Sequence, residues 1–381
     1  MLSLVLLVGA GLFVRSLWRV VHADIGYDPR GVIVADVDLG VAGYNKPERL
    51  AFYDRALERM RALPGIERAS LAINSPFWTM HSKGIRLTDR DSTLRPPEGG
   101  PYYNGVTPEY FATTGMRLVR GRLFTAGDRA GAAPVMVINR QMADFFWPKQ
   151  DPIGQCVKLG GDSLPCSQVI GVVATARIGA IQEEPRLAYY VPLEQSLALG
   201  MSRDRILFLR TRSDATALIP TVRRALQGMA PNLPFANIRS FQSQIDPEIQ
   251  PWRLGAVMFG LFGALALVVA ALGLYSVMSY TVVQRTHEFG VRAALGASPR
   301  QIVRSVLRDG LRVILAGMAL GLGVALAGGR FLAPLLFRTS PRDPEVFVAV
   351  AATLFVAAVT AIILPALRAT RVDPLEALRA D

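Results

Sequence analysis

The sequence predicts an α+β membrane protein, in which apolar helices carry one mixed α/β domain on the outer side of a bilayer. Three observations predict it. The last third of the chain holds three long apolar segments, residues 254–283, 313–329 and 346–367. Residues 24–250 instead alternate strand-like runs with amphipathic helical ones. A short arginine-dense segment lies between the first two apolar segments, which assigns a side of the membrane to everything else.

The chain starts with residues 2–14, an apolar run of 13 before Arg15, when a spanning helix needs roughly 20 residues. Two readings stay open. One is a signal peptide with Val21-His22-Ala23 at its cleavage site; the other is the outer part of a first span in a chain cut from a longer protein. No cationic segment precedes the run, which favours the second.

In the outer domain, residues 32–39 alternate as a strand does. Residues 47–63 read as a helix with Leu50, Tyr53, Leu57 and Met60 on one face, stopped by Pro64-Gly65. A second strand follows at 66–73, giving a β-α-β unit. Residues 74–100 are polar and irregular. Further expectations are a strand at 135–139 with a helix through Phe146, a strand at 206–211, and an amphipathic helix at 215–229. Cys156 and Cys166, the two cysteines of the chain, flank a Gly/Asp/Ser/Pro turn between strand-like runs 155–159 and 167–173. That pattern reads as a hairpin, whose cysteines form a disulfide if the domain is exported or remain two half-buried thiols.

Residues 254–283 are 30 uncharged residues, more than one bilayer, so the helix is tilted or extends beyond the membrane. Residues 313–329 number 17, near the lower limit, and five glycines among them suit close helix packing. Residues 346–367 are 22 without a charge, a full span.

The net charge of +12 does not indicate nucleic acid. Residues 24–248 carry 27 Lys+Arg against 23 Asp+Glu, so most of the excess lies in or beside the apolar segments. Six arginines fall within 285–312, which puts that loop in the cytoplasm. Residues 24–250 and 330–345 then face outward, as do Arg15 and Arg19, a mild conflict with the same rule.

Catalytic signatures are absent from the sequence. The four lysines, Lys46, Lys83, Lys149 and Lys158, are followed by Pro, Gly, Gln and Leu, so the chain has no Walker A motif. His22, His81 and His287 are far apart and show no metal-ligand spacing. Ser75 and Ser82 near His81 sit in no nucleophile elbow and read as a solvated loop. Glu183-Glu184 reads as a solvated turn rather than a catalytic pair.

The cytoplasmic segment carries the functional signal. Glu288 and Arg292 are four apart, in the favourable order for a helical pair. Phe289, Ala293 and Gly296 share a face, and Gly296 suits the residue just past the helix end. Ser298, Pro299 and Gln301 then open a second helix with a capping box. Arg300, Arg304, Arg308 and Arg312 recur every four residues along it and read as contacts to lipid headgroups. Docking to a soluble partner explains both the charge of the short helix and its abrupt end.

These residues bear a family resemblance. RTHEFGVRAALGAS at 285–298 resembles the R-E-I-G-I-R-x-A-L-G-A signature of FtsX-like permeases, the MacB/FtsX type of ABC transporter subunit. The closing stretch LPALRATRVDPLEALRAD at 364–381 resembles that family's D-P-x-x-A-L-R ending. VTPEYFATTGMRLVRGRLFTAGD, APVMVINRQMADFFWP with DPIGQ, and VIGVVATARIGAIQEEPRLAYYVPLEQ resemble the MacB-type periplasmic core. His287, Phe289 and the Ala293-Ala294 pair depart from the common pattern. The start of the chain resembles the second half of acidobacterial duplicated orphan permeases, which implies that a preceding half is missing.

The resemblance implies four transmembrane helices with a large mixed α/β periplasmic domain between spans one and two, and both ends in the cytoplasm of a bacterial inner-membrane protein. The implied segments are a first span at 1–23, the periplasmic core at 24–250, the second span at 251–284, a coupling segment at 285–310, the third span at 311–333, an outer loop at 334–345, the fourth span at 346–367 and a tail at 368–381. Arg285, Glu288, Phe289, Gly290, Arg292, Leu295 and Gly296 then belong to the contact with an ABC ATPase subunit. That partner binds ATP and Mg, and this chain needs no cofactor of its own. Other implied partners are a second permease copy or half, membrane lipid, and periplasmic or outer-membrane components. The expected function is an export or mechanotransmission permease; the alternative is an FtsX-like regulator that activates or recruits a periplasmic enzyme.

Overall fold

The computed structural model describes residues 2–87, 99–159, 165–202, 204–230, 236–295 and 297–368. The chain divides into two compact units, Ala23–Glu248 and the remainder, Met1–His22 with Ile249–Asp381.

The first unit is built on one twelve-stranded sheet among the described residues. Its elements in chain order are β1 (Val32–Val37), α2 (Lys46–Arg61), β2 (Ile66–Ala72), β3 (His81–Ser82), β4 (Ile85–Leu87), β5 (Tyr102–Val106), α3 (Tyr110–Thr114), β6 (Leu118–Gly121), β7 (Val135–Asn139), α4 (Arg140–Phe146), β8 (Cys156–Leu159), β9 (Ser167–Val173), β10 (Ala188–Pro192), α5 (Leu193–Ser196), β11 (Ile206–Thr211), α6 (Ala215–Met229) and β12 (Ala236–Ser240). The strand order is β12-β1-β11-β2-β5-β10-β7-β9-β8-β4, with β3 on β5 and β6 on β9. The expected β-α-β unit is present but split, because β11 inserts between β1 and β2 and pairs antiparallel with both.

Local chemistry sets these elements. Asn45 caps α2: its Oδ1 accepts from the Glu48 N–H at 3.1 Å, and Glu48 returns the bond to the Asn45 N–H at 2.8 Å. Tyr53, Leu57 and Met60 are buried as their spacing requires, together with Phe52 and Ala56. They pack with Val222 and Leu226 of α6 on β1, β2 and β11. A second core joins Met142 and Phe146 of α4 to Met136, Ile138, Val169 and Tyr189. β8 and β9 form the expected antiparallel hairpin, and the sulfurs of Cys156 and Cys166 are bonded across it, Cα to Cα 5.6 Å. The residues between them, 160–164, lie outside the described set.

Two readings of this unit need correction. Glu183 is not solvated: its carboxylate is buried against Arg186 at 2.8 Å and accepts from the N–H groups of Ile178, Gly179 and Ala180. It organises a turn that would otherwise leave three donors unpaired. Ser75 is likewise buried rather than solvated, and its Oγ donates to Gln244 Oε1 at 2.9 Å. The His81 ring instead pairs with Asn74 Oδ1.

The second unit holds α1 (Leu2–Val21), α7 (Gln242–Gln284), α8 (Thr286–Ala294), α9 (Pro299–Leu332) and α10 (Pro344–Arg368); the first turns of α7 belong to the other unit. Four of these helices, all but α8, are long and apolar enough to cross a membrane. α7 is 43 residues long, more than twice a bilayer span, and begins well before the 254–283 stretch. α1 does not stop at Arg15 but runs on to Val21, 20 residues in all. Arg15 is tolerated because Asp343 and Glu345, at the start of α10, lie 2.8 and 2.5 Å from its guanidinium, with Arg19 at 3.8 Å from Asp343. The two arginines that conflicted with the charge rule are therefore neutralised by acids at the same end of the bundle.

Of the third-span glycines, Gly329 does meet a neighbour within the chain, since a Cβ there would come within 3.1 Å of the Pro341 carbonyl oxygen. A Cβ at Gly317, Gly323 or Gly328 would meet nothing within 4 Å, so these three do not mediate packing among the described residues. Close approach falls elsewhere. Gly255 lies against the ring of Phe13, and a Cβ at Gly9 would come within 2.8 Å of Phe259, so α1 and α7 interlock through two stacked phenylalanines.

Candidate coupling elbow

α7 gives way to α8 at Arg285, α8 ends at Ala294, and α9 begins at Pro299. The two ends are stabilised differently. At the start of α9, Gln301 Oε1 accepts from the Ser298 N–H at 2.9 Å, and Pro299 occupies the first helical position, where no donor is wasted. At the end of α8, the Leu295 N–H reaches Val291 O at 3.1 Å and the Ala297 N–H reaches Arg292 O at 2.9 Å. Gly296 itself, and the side chains of Ala293 and Ala294, lie outside the described set.

One face of α8 is held by the bundle. Phe289 is 2% exposed and packs among Met278 and Val282 of α7, Ile302 and Val306 of α9, and Ile362 of α10. Gly290 beside it is buried too. These two of the seven predicted contact residues therefore face inward, toward this chain's own helices.

The flank beside that face is open and charged. Glu288 pairs with Arg292 at 2.5 Å and lies 4.0 Å from Arg285. Arg285 reaches Asp309 of α9 at 3.1 Å, a partner that the sequence reading passed over because Asp309 stands inside an arginine column. Leu295 is 82% exposed, the highest value for a large apolar side chain among the described residues. It lies outside the uncharged stretches, at the tip of the turn between α8 and α9. The elbow thus combines an anchored aromatic base, a charge-compensated flank and an apolar tip. This arrangement suits binding a surface. Among the described residues no group of three His, Cys, Asp or Glu is placed to hold a metal.

Comparison with known proteins gives this geometry a family. A model of the MacB-like periplasmic core domain matches residues 1–228, and a model of the FtsX-like permease C-terminal region matches residues 260–374. The macrolide export ATP-binding/permease protein MacB 2 of Aeromonas hydrophila is 29% identical over 72% of this chain and 42% of its own length. The pyoverdine export ATP-binding/permease protein PvdT of Pseudomonas syringae is 27% identical over 74% of this chain and 43% of its own. The uncharacterized ABC transporter permease YknZ of Bacillus subtilis is 26% identical over 84% of this chain and 78% of its own. The chain thus spans less than half the length of the first two relatives. The crystal structure of the periplasmic region of MacB from Actinobacillus actinomycetemcomitans covers 59% of this chain and 95% of that one, at 14% identity and a TM-score of 0.42. This chain belongs to the MacB/FtsX type of ABC transporter permease, which joins a MacB-like periplasmic core domain to an FtsX-like permease region.

Proposed function

We propose that this chain is the permease subunit of an ABC-type export or mechanotransmission complex in a bacterial inner membrane, with four spans and both ends cytoplasmic. A separate ATPase subunit, which binds ATP and Mg, docks on the α8–α9 elbow through Leu295 and the Arg285–Glu288–Arg292 flank. The observation that carries this reading is the two-sided elbow: Phe289 ties it to three long helices, while Leu295 stands 82% exposed beyond them. A push on the tip is passed to α7, α9 and α10 through one buried cluster, which moves as a unit because packed side chains transmit displacement rather than absorb it. A second permease copy or half completes the complex. The open third-span glycines, where backbones can approach closely, support a helix partner there. The names of the relatives suggest that the cargo class is an exported small molecule.

Purification from native membranes in mild detergent tests the reading. A P-loop ATPase should co-purify with the wild type and be lost with Glu288→Arg, which leaves three arginines on the flank. If a periplasmic hydrolase co-purifies and no ATPase activity depends on the elbow, the regulator reading replaces this one.

A further inference from the structure

Arg300, Arg304, Arg308 and Arg312 stand one turn apart along the first third of α9, and all four are exposed. Arg312 has Asp309 at 3.6 Å. Among the described residues no ion pair joins Arg300, Arg304 or Arg308 to an acid. The acids nearest in sequence are committed elsewhere, Glu288 to Arg292 and Arg285, and Asp309 to Arg285 and Arg312.

The column is too long for a single layer of lipid headgroups. A hydrocarbon core takes about 20 helical residues at about 1.5 Å each. Counted back from Arg330, the charge at the far end of α9, the core begins close to Arg312. The headgroup region adds only about 5–8 Å on each side. Arg308 lies about 6 Å beyond the boundary and fits within it. Arg304 lies about 12 Å out and Arg300 about 18 Å out, clear of the headgroups. A typical tilt of about 20° shortens these heights by only about 6%. The column therefore divides: its lower half suits phosphates, and its upper half is bathed in cytoplasm.

The upper half also faces a different direction from α8. Ile302 and Val306 are buried in the cluster that holds Phe289. At about 100° per residue, Arg304 lies about 160° around the helix from both. Arg300 and Arg304 are thus on the back of α9, not on the flank that carries Glu288.

We propose that Arg300 and Arg304 form a second, cationic docking face that meets an acidic surface of the soluble ATPase subunit, so that the partner grips α9 from behind while Leu295 seats at the tip. This rests on the coupling role proposed for the elbow. Two unpaired arginines in water set the encounter rate and salt dependence of association more than its final strength.

The test uses the full chain in nanodiscs of phosphatidylcholine alone, with association of the co-purified ATPase followed kinetically. Arg300→Glu with Arg304→Glu should slow association about tenfold and flatten its salt dependence. The double lysine variant should associate like the wild type, and Arg308→Glu should change nothing. Should the double reversal misfold, Arg300→Gln with Arg304→Gln supplies the same test, with an expected slowing of about threefold. Leu295→Asp reports on the elbow itself. If Leu295→Asp loses the ATPase while both arginine variants bind at the wild-type rate, the second face is wrong and the coupling role stands. If neither change affects binding, both fail. A defect that appears only when phosphatidylglycerol is added makes the whole column a lipid site and overturns the proposal. So does a defect that vanishes when residues 369–381 are deleted, since the chain's own tail is then the occupant.

Discussion

Phe289→Ala should release α8 without disturbing the outer domain. α8 has nine residues, below the roughly 12–15 at which an isolated helix holds its shape in water. Its exposed pairs contribute little. Glu288–Arg292 is about half exposed and is worth about 0.3–0.5 kcal/mol, and Arg285–Asp309 is worth at most about 1 kcal/mol. Phe289, 2% exposed among Met278, Val282, Ile302 and Val306, is the main anchor. Truncating a buried Phe to Ala typically costs about 3–5 kcal/mol, more than the surface pairs together return. Amides of α8 should then lose protection from hydrogen exchange by a factor of at least about 100. ATPase stimulation should fall with it, while exchange in β1, β2 and β11 stays as in the wild type. Phe289→Leu, which keeps most of the volume, should cost about 1 kcal/mol. Wild-type protection of α8 in the alanine variant would refute the claim that this ring holds the elbow.

Three further outcomes follow from the same structure. Replacing Cys156 and Cys166 by serine should destabilise the outer domain by about 2–3 kcal/mol, as expected for a bridge across ten residues, seen as a lower denaturant midpoint; an unchanged midpoint would mean the bond does not form. Asp128 is held at about 2, below the usual carboxylate range, first by its paired bonds from Arg122 at 2.8 and 2.9 Å, so its contribution is complete above about pH 4 and is lost as pH falls through about 2. Asp128→Asn should therefore lower stability at pH 6 by about 1–2 kcal/mol and matter little at pH 2, and equal losses at both pH values would contradict this. Among the described residues Asp343→Asn leaves Arg15 with the exposed Glu345 and Arg19 with no paired acid, and should lower the melting temperature of the helical unit in detergent, at a cost of about 2–3 kcal/mol, without moving the outer-domain transition; an unchanged melt would show that the pairs with Asp343 add no stability.

The legible parts of this fold were those with local causes. β11 and α6 appear at the residues their patterns predict, because a short apolar run and an Asp214 cap act within a few positions. β5 and β10 escaped notice. The first is Tyr-Tyr-Asn-Gly-Val, a poor strand pattern until Asn104 Oδ1 is seen accepting from the N–H groups of Ile73 and Asn74 at 3.0 Å; the second ends in a proline. The insertion of β11 between β1 and β2 depends on pairing across more than 100 residues and leaves no local signal. α1 looked too short because Asp343, which makes Arg15 acceptable, lies more than 300 residues away. At the elbow, the Glu288–Arg292 pair could be read from its spacing, whereas Leu295 came from the family resemblance and its exposure from the structure. Which side Phe289 faces could not be read, since both sides of a nine-residue helix carry apolar residues and only tertiary packing chooses between them.

The most direct test of the coupling role is a photo-crosslinking residue in place of Leu295, activated in native membranes. The account predicts a crosslinked product containing a P-loop ATPase, which disappears when Phe289→Ala is added. Crosslinks to lipid alone, or an ATPase product that persists without the Phe289 anchor, would contradict it.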